Sequence, residues 1–109
     1  MWFSFAVALN AASQRDLLLI NDKQREILVI AQEEAAEVIQ EISKVFRFGL
    51  HATHKEGMLH QVKLEEEVGD LLAMIQLMCE HGLINESELE HHRLNKISKL
   101  HKWSSIFKD

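Results

Sequence analysis

Glu34 and Glu37 stand three residues apart, and so do Glu67 and Asp70. On an α-helix this spacing puts both side chains of a pair on one patch of surface. At 100° per residue, the helix carrying the first pair has an apolar arc of Ile27, Leu28, Ala31, Ala35, Val38, Ile39, Ile42, Val45 and Phe46. Glu34, Glu37 and Glu41 run along one border of that arc, and Glu33 and Glu26 lie farther toward solvent. The helix carrying the second pair has a wider arc: Leu64, Val68, Leu71, Leu72, Met74, Ile75, Leu77, Met78 and Cys79. Glu67 projects between Met74 and Met78, and Asp70 between Met74 and Leu77, so both acids sit within the apolar face. An ionised carboxylate is costly to bury unless it is paired or bound to a metal. If the two helices pack face to face, four carboxylates meet. Such a group suits a hard divalent cation with oxygen ligands, Mg²⁺ by default. The competing assignment makes Glu34 and Glu37 surface acids and pairs Glu67 and Asp70 with Lys63, Lys44 or Arg47.

The elements that must position these residues follow from the punctuation of the chain. There is no proline and there are four glycines in 109 residues, which favours long helices. Four helical stretches are expected. The first covers about residues 3–19. The second is capped by Asn21 or Asp22, runs through 25–48 and stops at Gly49-Leu50. The third spans about 61–81 and stops at Gly82-Leu83. Ser87 and Glu90 form a capping box for a fourth that reaches Trp103. Residues 50–61 show no period and read as a long loop, and nothing alternates with period two, so no sheet is expected. The fold class is all-α: a helical hairpin with flanking helices in a single domain spanning 1–109, in which residues 1–20 form a helix without a motif.

Composition narrows the function classes. A hydrophobic fraction of 47% beside 27% charged residues describes a globular chain. With 17 acidic and 12 basic residues the formal charge is −5, unlike the basic footprint of a nucleic-acid binder. One cysteine excludes an internal disulfide framework and fits a reducing compartment. The apolar start, Met1 to Leu9, has no basic residue ahead of it and is too short for a span of about 20 residues. It reads as a docking helix, and a cytoplasmic protein without membrane partners is expected. The seven histidines include no i,i+4 pair on a helix. His51, His54 and His60 are assigned to the 50–61 loop, and His91 and His92 point in different directions on the last helix.

Two segments carry a resemblance. Glu33-Glu34-Ala35-Ala36-Glu37 matches E-E-x-x-E, and Glu67-Val68-Gly69-Asp70 matches E-x-x-D thirty residues on. With Ser43-Lys44-Val45-Phe46-Arg47-Phe48-Gly49, Leu71-Leu72-Ala73 and Lys99-Leu100-His101-Lys102-Trp103-Ser104, residues 21–104 resemble small phage and bacterial members of the MazG-like, all-α nucleoside triphosphate pyrophosphohydrolases. The resemblance implies a four-helix-bundle core completed by dimerisation, as a homodimer or a dimer of dimers. It implies Mg²⁺-dependent hydrolysis of a nucleoside triphosphate to the monophosphate and pyrophosphate, with Mn²⁺ as a possible substitute. Glu34, Glu37, Glu67 and Asp70 are then the metal ligands, and Glu33 positions a water or faces solvent. Lys44, two turns past Glu37 and about 10 Å along the axis, is a candidate phosphate clamp, with Arg47 one turn farther. Either could instead complement the helix C-terminus. Asn95 and Lys99, with Lys96 beside them, match a basic segment that closes over the phosphates in related enzymes, or they form a solvated face. Rival functions are a narrower dUTP or phosphoribosyl-ATP type pyrophosphatase and a non-catalytic helical assembly protein. A di-iron bundle is disfavoured, because neither Glu34 nor Glu67 is followed three residues later by His.

Overall fold

The computed structural model describes residues 19–53 and 57–109. The expected first helix, over 3–19, falls almost wholly outside them, and so does His54. Three helices follow in order: α1 (Asp22–Phe48), α2 (His60–Glu80) and α3 (Glu86–Trp103), with no strand among the described residues. The described residues form an all-α arrangement, the class expected.

Local chemistry accounts for the helix ends. Asn21 caps α1: its side chain accepts from the Gln24 N–H at 2.8 Å, and the Asn21 N–H donates to Gln24 Oε1 at 2.9 Å. This reciprocal box satisfies two backbone donors that a helix start leaves open. α2 ends in a Schellman turn, in which Leu83 N–H reaches Met78 O at 2.9 Å and Gly82 N–H reaches Cys79 O at 3.2 Å. Gly82 takes φ +75 there, a region glycine enters without strain. α1 stops differently from expectation: Gly49 has φ 94 but ψ 154, outside the left-handed helical region, so it does not form a left-handed cap. The cap of α3 also moves. Asn85, not Ser87, accepts from the Glu88 N–H, and the Ser87 hydroxyl donates to Asn85. The expected loop is tied at its base by Gln61 N–H to Leu50 O at 2.9 Å and His60 N–H to Ala52 O at 3.0 Å. A single antiparallel bridge joins Thr53 and Leu59.

α1 and α2 pack against each other along their length. Their direction is set by contacts at the two ends. Gln24 at the start of α1 donates to His81 O at the end of α2, while Phe48 at the end of α1 stacks on His60 at the start of α2. The pair is therefore an antiparallel hairpin. α3 makes only sparse contact with it. Ile27 and Met74 are the only buried apolar side chains among the described residues. Much of the apolar arc of α1 stays open, with Phe46 85% and Ile39 65% exposed. The radius of gyration is 19.5 Å, where a compact chain of this length would have about 13 Å. No described helix is long and apolar enough to cross a membrane.

Candidate metal centre

The antiparallel register lays the polar border of α1 beside that of α2. Glu34, Glu67 and Asp70 each present a carboxylate oxygen within 4.8 Å of the others. Glu37 joins through Glu67, whose carboxyl it crowds closely enough to raise its pKa. The hairpin thus brings together all four acids singled out by spacing. Their environments differ. Glu67 is 5% exposed and Glu34 half-buried, whereas Glu37 and Asp70 are exposed. Asp70 therefore lies at the mouth of the group, not within the apolar face where its helical angle placed it.

The electrostatics of Glu67 follow from this packing. The neighbouring Glu37 carboxyl, then burial, then the charge of Glu37 hold its pKa above the ordinary value of 4.5, and Lys63 opposes them. Two carboxylates in contact cannot both ionise cheaply, and a buried one loses its hydration. Lys63 Nζ lies 3.2 Å from Glu67 Oε1 and 3.2 Å from Glu66 Oε1. These partners, Glu66 first, raise the lysine pKa. Even so, Glu67 Oε2 and Glu34 Oε2 are buried and accept no hydrogen bond. Orphaned anionic oxygens facing further carboxylates are what a hard cation with oxygen ligands would satisfy. The donor set fits Mg²⁺ or Mn²⁺ in type, being all carboxylate with no soft ligand.

The other expected contacts divide. Glu33 is exposed on α1. Lys44 turns to Glu41 at 3.1 Å, one turn back on its own helix, and Arg47 lies over the Phe48 ring at 4.9 Å. Asn95, Lys96 and Lys99 are exposed on α3, and no hydrogen bond or ion pair joins them to the acids. Trp103 is exposed, with Lys102 over its ring.

A second polar cluster had no assigned role. Glu41, 3% exposed, holds Lys44 on one oxygen and has His60 Nδ1 3.8 Å from the other. His60 is buried at the first turn of α2, where a loop was expected. A signal for both exists in the spacing. Glu41 continues the row Glu34, Glu37 by one further turn, and His60 precedes Glu67 by seven residues, two turns on the same face. No protein-family model, curated protein or solved structure matches this chain, so the functional reading rests on this geometry and on the resemblance of its motifs.

Proposed function

We propose that this chain is a Mg²⁺-dependent nucleoside triphosphate pyrophosphohydrolase of the MazG-like kind, releasing the monophosphate and pyrophosphate. The observation that carries the proposal is the meeting of Glu34, Glu67 and Asp70 oxygens within 4.8 Å across two helices, with a buried Glu67 oxygen left without a donor. In this reading Glu34, Glu67 and Asp70 hold the cation, and Glu37 completes the set through its contact with Glu67. Bound there, the ion supplies Lewis acidity and neutralises phosphate charge. The carboxylates also impose an order. An empty acid group repels a polyanion, so the substrate binds after the metal. In the same reading Glu33, exposed next to Glu34, orients the attacking water. The location is cytoplasmic, in keeping with the single free cysteine, Cys79.

The proposal includes a homodimer in which a second hairpin completes a four-helix bundle. Support comes from the open apolar stripe formed by Ile39, Ile42 and Phe46 of α1 with Val68 and Leu72 of α2. By helical angle this stripe lies on the side of the hairpin opposite the acids. An exposed apolar surface of this kind marks an interaction site. Sedimentation at micromolar concentration is expected to show a dimer or larger, and Ile39→Glu with Phe46→Glu to give monomer. A monomeric wild type would overturn the assembly.

The activity is tested by pyrophosphate release from canonical and modified NTPs and dNTPs with Mg²⁺ and in excess chelator. Turnover that survives chelation would sink the metal dependence. No turnover on any substrate, with an intact oligomer, would favour the assembly-protein reading. A response confined to dUTP or to phosphoribosyl-ATP would assign the narrower type.

A further inference from the structure

We propose that Lys63 is a displaceable counter-ion: its ammonium holds Glu67 while no divalent cation is bound, then turns to the phosphate chain of the substrate. This rests on the metal-centre reading above and adds a substrate-binding residue to it. Lys63 Nζ lies 3.2 Å from Glu67 Oε1, an oxygen of the most buried acid in the group. A cation bound by Glu67 and the ammonium therefore compete for one carboxylate. The lysine can leave at small cost. On leaving Glu67 it keeps a second partner, Glu66 Oε1 at 3.2 Å, whose side chain is 46% exposed, and Glu67 keeps its charge compensated by the incoming cation. A flexible four-carbon stem lets the ammonium move several ångströms without backbone change.

Lys44 does not have this freedom. Its partner Glu41 is 3% exposed, and drawing Lys44 away would leave a buried carboxylate without its one cationic partner among the described residues. Of the two lysines beside the seam, Lys63 is the one the geometry releases. A triphosphate chain needs cationic partners besides the metal, and an ammonium freed at the edge of the cation site meets that need.

The test is calorimetric titration with Mn²⁺ alone, then steady-state kinetics, on wild type, Lys63→Met and Lys44→Met. Removing the competing ammonium from Glu67 tightens Mn²⁺ binding by about fivefold in Lys63→Met, while KM for the nucleoside triphosphate rises by about tenfold. Lys44→Met, which removes the same charge from a different carboxylate, leaves Mn²⁺ binding near the wild-type value. Lys63→Arg keeps the charge and reach and restores wild-type Mn²⁺ affinity, which separates competition from a folding defect. If wild type binds Mn²⁺ and Lys63→Met binds it no tighter, or binds it tighter with KM unchanged, the role of Lys63 is overturned. If wild type binds no Mn²⁺, it is the metal-centre reading that fails.

Discussion

Glu67 and Glu41 are nearly equally buried, yet they hold opposite electrostatic positions. Glu41 has Lys44 at one oxygen and His60 near the other, and among the described residues no second carboxylate joins this cluster. Glu67 faces Glu34, Glu37 and Asp70 with one ammonium to offset them, and that ammonium is shared with Glu66. Two regions of one helical seam, about one turn apart on α1, therefore have different fates. The Glu41 region is compensated within the chain and ties the closed end of the hairpin together. Among the described residues, the Glu67 region is left with surplus negative charge, which a proton or an added cation would relieve. Burial of an acid says little about function; the sign of its neighbours says more.

Charge-removing variants at the two positions should therefore diverge. Glu67→Gln keeps shape and removes a proposed ligand, and on the proposed activity pyrophosphate release is expected to fall by more than about a hundredfold. Its metal-free stability should hold or rise, because a repulsive charge has gone. Equal loss of activity in Glu41→Gln would erase the distinction. Added Mg²⁺ gives the second contrast. At a hundred times its dissociation constant it should stabilise wild type by about 2.7 kcal/mol in thermal unfolding. Glu41→Gln should keep that gain, and Glu67→Gln and Asp70→Ala should lose it.

The third contrast concerns the metal-free fold. Glu41→Gln removes a buried anion from beside the Lys44 ammonium and should cost about 1–2 kcal/mol in denaturant unfolding. A neutral outcome would mean that the pair contributes no stability. The smallest effect is in the pH dependence. The folded chain holds the Glu67 proton more tightly than the unfolded chain does, since its pKa is raised above 4.5. Its contribution is fully present below that value and is lost as pH rises through the raised one. Without metal, the stability of wild type relative to Glu67→Gln should therefore fall as pH increases from about 4.5 toward neutrality. Glu90, held low by Arg93 on α3, acts in the opposite sense. The difference between the two proteins is thus the quantity to measure. A difference that rises with pH would contradict the crowding of Glu67 by Glu37.

Much of this arrangement is legible in residue order. Helical pitch alone groups Glu34 with Glu37 and Glu67 with Asp70, and capping chemistry marks Asn21 or Asp22 and Gly82 as helix limits. Asp70 shows where pitch stops being informative. Its angle lies inside the apolar arc of α2, but that arc is wider than the strip α1 covers, so the residue stays exposed. His60 was hidden for a related reason: it lies at a helix start that no side-chain cap announces. Lys44 follows its nearest acid, Glu41, and spacing alone could not choose between that acid and a phosphate.

The sequence by itself determined three things: an all-helical chain, the acids that share a face, and the stop at Gly82. All are local consequences of backbone geometry, because a helix repeats every 3.6 residues whatever surrounds it. Tertiary structure decided which face meets which. Only the antiparallel register of α1 against α2 sets Glu34 beside Glu67 and Asp70, buries Glu41 with His60, and leaves Phe46 and Ile39 open. Those outcomes depend on distances between residues far apart in the chain, which no local rule contains.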